Sequence, residues 1–190
     1  MSASQINRLP LILLGAGGHA KVLLSLARAV GLELKGVCDQ ELAQQRIERW
    51  RALPVLGTDS VLDSFDIAQV GLINGVGQLV GGSVRRALYL RMRQRGFRFP
   101  ALVHPTAWVD PSASLGDGVQ VMAGAVIQAD CRIGENSIVN TGATIDHDCV
   151  IGAHVHVAPG CSLCGGVHVR DQAFIGAGST IIQGCRVGQG

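Results

Sequence analysis

The sequence predicts an α/β domain of about 100 residues followed by a parallel β-helix, and three observations carry that prediction. The first is a strict aliphatic period of six. From Val103 onward it takes in Val109, Leu115, Val121, Ile127, Ile133, Val139, Ile145, Ile151, Val157, Leu163, Val169, Ile175, Ile181 and Val187. The second is a series of mostly small residues two places earlier in each repeat, from Ala101 to Cys185. The third is an apolar run, Leu9 to Leu14, that opens into Gly15-Ala16-Gly17-Gly18-His19-Ala20.

In the N-terminal domain the first element is a strand ending at the glycine turn. Val22, Leu23, Leu26 and Val30 then recur at helical spacing up to Gly31. A second strand, Leu34 to Cys38, ends at Asp39, where a βαβ nucleotide site places an acidic side chain to accept hydrogen bonds from a ribose or base. A third apolar stretch, Ile67 to Ile73, ends in Asn74-Gly75-Val76-Gly77, a second glycine turn of the kind found at a ligand crevice. A helix from about Ser83 to Arg95 follows, with Arg85, Arg86, Arg91, Arg93, Arg95 and Arg98 read as its polar face. Glycines let a backbone approach a pyrophosphate, and free N–H groups at a helix start offer donors to it. Fewer than 100 residues leave no room for both halves of a dinucleotide fold, so a mononucleotide or nucleotide-sugar fits better than NAD.

In the second part, two series locked at period six exclude an α-helix. Each hexapeptide supplies a short strand and a turn, and three close one triangular coil, so residues eighteen apart stack at roughly 4.8 Å. Fifteen repeats make five coils with no large loop between them.

Composition sets further bounds. A net charge of +2 points to neither a nucleic-acid nor a membrane partner, and the apolar run before the glycine turn is too short to span a bilayer. A cytoplasmic protein is expected. Cys131, Cys149, Cys161 and Cys185 occupy the small-residue slot, where packing accounts for them. Cys161 and Cys164 with His154 and His156 mimic a zinc pattern, but an inward Cys161 breaks the set, so no metal site is expected.

Among the histidines, His147 stands between Asp146 and Asp148 at an exposed corner, an arrangement suited to a general base. His156 lies nine residues on, half a coil, and so faces another side of the prism. The two could meet only between neighbouring subunits of a cyclic oligomer. His104 and His168 lack acidic neighbours and are read as structural.

Together, Gly15-Ala16-Gly17-Gly18-His19, Asp39, Asn74-Gly75-Val76-Gly77, the run from Ile145 through Asp146, His147, Asp148, Cys149, Val150 and Ile151 to Gly152, and His156 resemble the PglD/NeuD-like sugar acetyltransferases over essentially the whole chain. The resemblance implies a Rossmann-like nucleotide-sugar-binding domain over 1–100 and a left-handed β-helix acetyltransferase domain over 101–190. It implies a homotrimer with acetyl-CoA as co-substrate in the groove between adjacent helices. His147 would be the catalytic base and Asp148, standing where related sequences carry Glu, would orient it. Asn140 would touch the acceptor. His156 and the Gly165 N–H would meet the acetyl-CoA arm and thioester oxygen, while Gly17, Gly18, His19, Asp39 and Asn74 would cradle the nucleotide-sugar.

The implied reaction is N-acetylation of a nucleotide-linked amino sugar for bacterial surface glycan synthesis. No cysteine or serine stands beside His147 as an obvious nucleophile, so direct transfer is expected. Two readings stay open beside it, an O-acetyltransferase acting on sialic acid or another sugar, and a non-catalytic trimeric scaffold that binds a nucleotide. Family members continue into further coils and a Val-Pro-Ala-type tail, so the stop at Gly190 leaves a truncated chain or an incomplete acetyl-CoA site as expectations.

Overall fold

The computed structural model describes residues 9–189. Residues 1–8 and Gly190, which the sequence reading assigns to the two domains, lie outside the described residues. The chain divides into two compact units after Pro100, with Leu79–Gly82 grouped with the second.

The first unit is built on a five-stranded sheet of order β3-β4-β2-β1-β5. Its strands are β1 (Leu11–Leu14), β2 (Leu34–Cys38), β3 (Arg49–Trp50), β4 (Leu53–Gly57) and β5 (Gly71–Asn74). All neighbours are parallel except β3, which runs antiparallel to β4 at the edge. Every residue of β1 is buried, as expected of a central strand covered on both faces.

Helix α1 (Gly18–Ala29) buries Ala20, Leu23, Leu24, Leu26 and Ala27. Val22 and Val30, read from sequence as part of that face, are exposed, because Ala20, Leu24 and Ala27 set its centre instead. The helix ends in a Schellman turn: Gly31 takes φ +69, and the Leu32 N–H reaches the Ala27 carbonyl at 2.9 Å.

Helix α2 (Gln40–Gln44) follows β2, and a 3₁₀ helix over Asp59–Ser64 follows β4. Helix α3 (Val84–Gln94) buries Leu88, Tyr89 and Met92, and beyond it Phe99 packs on Tyr89 with ring centroids 4.8 Å apart. The arginine run is not wholly a polar face. Arg86, Arg91 and Arg93 are exposed, but Arg85 is 2% exposed. Its guanidinium donates to the carbonyls of Asn74 (2.8 Å) and Val76 (2.7 Å), and burial lowers its pKa to about 9.

The second unit is a left-handed parallel β-helix. Fifteen two-residue strands, β6 (Leu102–Val103) to β20 (Arg186–Val187), form three five-stranded parallel sheets, so five coils stack without interruption. The register is eighteen throughout, as in Ile127↔Ile145 and Ile145↔Leu163. The aliphatic series from Val121 to Ile175 is buried along the axis, and Cys131, Cys149 and Cys161 lie beside it. Each inward Val or Ile contributes roughly 1.5–3 kcal/mol by burial.

The turns add a second period of six. Residues 118, 124, 130, 136, 142, 148, 154, 160, 166, 172, 178 and 184 all have positive φ. Glycine fills seven of these slots, at 118, 124, 142, 160, 166, 178 and 184, and Asp130, Asn136, Asp148, His154 and Gln172 fill the rest. Asx residues tolerate this left-handed region best after glycine, which explains two Asp and one Asn among the five.

Candidate active site

Three residues of one turn and a glycine one coil further on make up the most reactive-looking group in the solenoid. His147 and Asp148 sit between β13 (Thr144–Ile145) and β14 (Val150–Ile151), with the His147 side chain 62% exposed. Asp148 takes the left-handed slot at φ +61. That bend turns its carboxylate back, so Oδ2 lies 2.8 Å from Nδ1 of His147. Asp146 Oδ1 accepts the His147 backbone N–H at 2.8 Å. Beneath the corner, Cys131 Sγ donates to the Asp146 carbonyl at 2.9 Å, so an inward thiol braces the turn.

The hydrogen bond from Asp148 and then the charge of Asp146 raise the His147 pKa above the usual imidazole value. With Nδ1–H donating to Asp148, Nε2 keeps its lone pair and points away from the carboxylate. The imidazole lies over Gly165. A Cβ built at 165 would fall 2.7 Å from both Cε1 and Nε2 of His147. Among the described residues the Gly165 N–H donates to no protein acceptor, whereas the Gly166 N–H is spent on the His147 carbonyl at 2.9 Å. A base and a free backbone donor thus lie on adjacent coils.

Asn140 and His156 form a separate pair. His156 is 8% exposed on β15 (His156–Val157), its Nε2 is 3.0 Å from Asn140 Nδ2, and its ring meets Phe174 edge-on. Asn140 is therefore bound to His156 rather than placed with His147. Neither motif nor repeat announces this pairing, since the two residues are sixteen apart and not eighteen.

A possible zinc set does not assemble. Cys161 is fully buried with Sγ 3.0 Å from the Gly176 carbonyl, and among the described residues no group of three or more His, Cys, Asp or Glu is placed to hold a metal. His154 points into a buried contact with Asn136 at 3.0 Å.

In the α/β unit, the glycine turn leaves an open helix start. Gly17 is the N-cap of α1 without a side-chain cap, and the first turn carries no acidic residue. A Cβ at Gly17 or Gly18 would meet nothing within 4 Å, so packing within the chain does not demand glycine there. His19 opens the same helix, its Cβ 3.4 Å from where a Cβ at Gly77 would stand.

Asp39 holds the rim. One carboxylate oxygen accepts the Ala16 N–H at 2.9 Å and the other caps α2 by accepting the Leu42 N–H at 3.0 Å. Asn74, expected in the cradle, is fully buried. Its amide donates to the Arg85 carbonyl at 3.0 Å and its Oδ1 accepts from the Val76 N–H at 3.3 Å, so it shapes the Asn74–Gly77 turn from behind.

A prism of hexapeptide coils carrying an imidazole–carboxylate pair, preceded in the chain by a small α/β unit, defines a hexapeptide-repeat acyltransferase. Residues 10–91 match the PglD N-terminal domain, and residues 112–147 and 130–165 match the bacterial transferase hexapeptide family.

Among solved structures, the acetyltransferase domain of PglB from Neisseria gonorrhoeae in complex with acetyl coenzyme A is 34% identical. It covers 95% of this chain and 93% of its own, with a TM-score of 0.79. PerB from Caulobacter crescentus in complex with CoA and GDP-perosamine is 31% identical over 94% of this chain and 91% of its own, TM-score 0.74. WeeI from Acinetobacter baumannii, 22% identical over 92% of this chain and 81% of its own, shares the fold at a TM-score of 0.80. The chain belongs to the PglD/NeuD-like family of hexapeptide-repeat sugar acetyltransferases.

Proposed function

We propose that the protein transfers the acetyl group of acetyl-CoA to the amine of a nucleotide-linked amino sugar, with His147 as general base. The observation that carries this reading is the arrangement of the His147 imidazole, the Asp148 carboxylate at 2.8 Å and the Gly165 N–H one coil on. The similarity to PerB, whose structure holds CoA and GDP-perosamine, supports the substrate class. The PglB domain structure with acetyl coenzyme A supports the donor.

In the proposed reaction the neutral sugar amine attacks the thioester carbonyl, and Nε2 of His147 removes the proton that the nitrogen sheds as the tetrahedral intermediate forms. Asp148 holds the imidazole in the tautomer that leaves Nε2 free and stabilises the imidazolium. The Gly165 N–H donates to the developing oxyanion, an interaction of typically about 3 kcal/mol at such sites. The intermediate collapses with cleavage of the C–S bond, and the proton held on Nε2 leaves with the CoA sulfur.

Asn140 is assigned to the acceptor side and His156 to the acetyl-CoA side of the same centre. Because His147 lies in the turn between β13 and β14 while His156 lies on β15 in another sheet, a homotrimer in which one copy's His147 meets the next copy's His156 is part of the proposal. Gly17, Gly18 and His19 bind the diphosphate and Asp39 the ribose, with Asn74 holding the neighbouring turn. All six cysteines are free, and no helix of the described residues is long and apolar enough to cross a membrane; both support a cytoplasmic site of action.

The test is thiol release from acetyl-CoA against a panel of UDP-, dTDP- and GDP-linked amino sugars, with His147→Ala alongside. Turnover on one amino sugar that the variant loses, with nucleotide still bound, is the expected result. Turnover only on hydroxyl acceptors would convert the reading to O-acetylation. Full activity in His147→Ala would remove the base assignment.

A further inference from the structure

The loops at the C-terminal edge of the first sheet follow the order of its strands. Gly15–His19 leaves β1, Asp39 leaves β2, and Thr58–Ser60 leaves β4, in the strand order β4-β2-β1. A nucleotide laid along this edge, with its diphosphate at the start of α1 and its ribose at Asp39, carries its base past β2 and over the end of β4.

That position is an open cleft of about 340 Å³ lined by Gln40, Thr58, Asp59, Ser60 and Arg91. It is continuous with the ribose position. Gln40 directly follows Asp39, and the Asp39 N–H donates to the Gly57 carbonyl at 3.0 Å. Every lining side chain is polar.

Within the cleft, Arg91 donates to Asp59, and the two side chains are 58% and 35% exposed. An ion pair this open contributes little to folding. In the neighbouring pair Arg95 Nη2 donates to Asp63 Oδ1 at 2.5 Å, and Arg95 reaches Asp59 only at its backbone carbonyl, at 3.5 Å, not at its carboxylate. Asp59 and Arg91 are thus left side by side at the cleft, where Oδ2 of Asp59 accepts from Arg91 and keeps one further acceptor site, Oδ1 adds another, and the rest of the guanidinium remains a donor beside them.

Donor, acceptor, acceptor is the complement of one nucleobase edge. Guanine offers O6 as acceptor, then N1–H and the N2 amine as donors. Uracil and thymine offer acceptor, donor, acceptor, which sets a carbonyl oxygen against a carboxylate oxygen. Adenine offers one donor beside one acceptor, so even in its better orientation it engages the guanidinium and a single carboxylate oxygen and leaves the second acceptor unfilled.

The geometry points to Asp59 and Arg91 as the base-reading pair of the acceptor site, selecting a guanosine diphosphate-linked sugar. Thr58 and Ser60, whose hydroxyls are 2.8 Å apart, flank the base, together with Gln40. This assignment rests on the nucleotide-sugar reading of the α/β unit.

The experiment is calorimetric titration of the full chain with GDP, UDP, dTDP and ADP, repeated on Asp59→Asn and Arg91→Gln. GDP is expected to bind at least about tenfold more tightly than the other three, at the lower end of what one well-placed bidentate contact gives. Asp59→Asn keeps the size of the side chain but turns one acceptor into a donor. It should cost GDP about tenfold while moving UDP less than about twofold, with Tm unchanged. Arg91→Gln repeats the test should Asp59→Asn fail to fold.

Equal binding of all four nucleotides, or tighter binding of UDP, overturns the base assignment while the nucleotide site stands. Binding of none of them overturns it together with the acceptor reading.

Discussion

The imidazole of His147 rests on Gly165, eighteen residues away, closely enough that no side chain can stand at 165 without displacing it. The glycine and the histidine are one unit of the site, joined across adjacent coils.

Replacing Gly165 by Ala follows directly. The new Cβ would push an exposed ring that is free to swing outward, so the fold pays little and the base moves off station. Turnover should fall about 10- to 100-fold, a part of the roughly 10²–10⁴-fold that a positioned general base supplies. Tm should stay within about 2 °C, read by steady-state kinetics beside a thermal melt.

The pH profile carries a defined sign. The Asp148 hydrogen bond and then the Asp146 charge raise the His147 pKa, and the base works only when neutral. Activity should therefore climb as pH rises through a value above the ordinary 6.5. Asp148→Asn removes the larger cause, so the acid limb should shift to lower pH while the maximum falls by about tenfold or more. A limb that stays in place would detach Asp148 from His147.

Arg85 should behave as a structural residue despite its charge. Arg85→Ala would leave the Asn74 and Val76 carbonyls without their guanidinium donor and open a space beside Tyr89 and Leu88. A loss of about 3 kcal/mol is expected from chemical denaturation, the sum of two unsatisfied buried acceptors. Arg85→Lys should recover only part of it, since an ammonium on a flexible stem does not reproduce a planar fork.

Ser137 tests the interior of the solenoid. Its hydroxyl accepts the Val155 N–H at 2.9 Å and donates to the Gly152 carbonyl at 2.9 Å inside a fully buried slot. Ser137→Ala should destabilise by roughly 1–3 kcal/mol with little change in the activity of the folded protein, checked by denaturant titration.

The coils were readable in advance because one aliphatic per six residues leaves no alternative phase. The same clarity put His147 on an exposed corner and His156 on another side. The left-handed slots were harder, because five of the twelve carry Asp, Asn, His or Gln in place of glycine, and Asp148 gave no sign that its backbone bend is what aims its carboxylate.

In the α/β unit the glycine turn and Asp39 were visible from spacing. The burial of Asn74 was not legible, because nothing in the spacing of a polar residue at a strand end names its partner. That partner, Arg85, looked like one more surface cation. Thr58, Asp59 and Ser60 were missed because β3 is two residues long and β4 contains Pro54, so neither shows strand alternation.

The eighteen-residue register makes the prism an indexing device. Inserting one hexapeptide before His147 would rotate it by a third of a turn onto another edge, whereas inserting eighteen residues would keep its edge and slide it by one strand spacing, roughly 4.8 Å. Length changes in this half of the gene are therefore quantised. Whole coils move a site along its substrate without turning it away, and any smaller step points the same residue in a new direction.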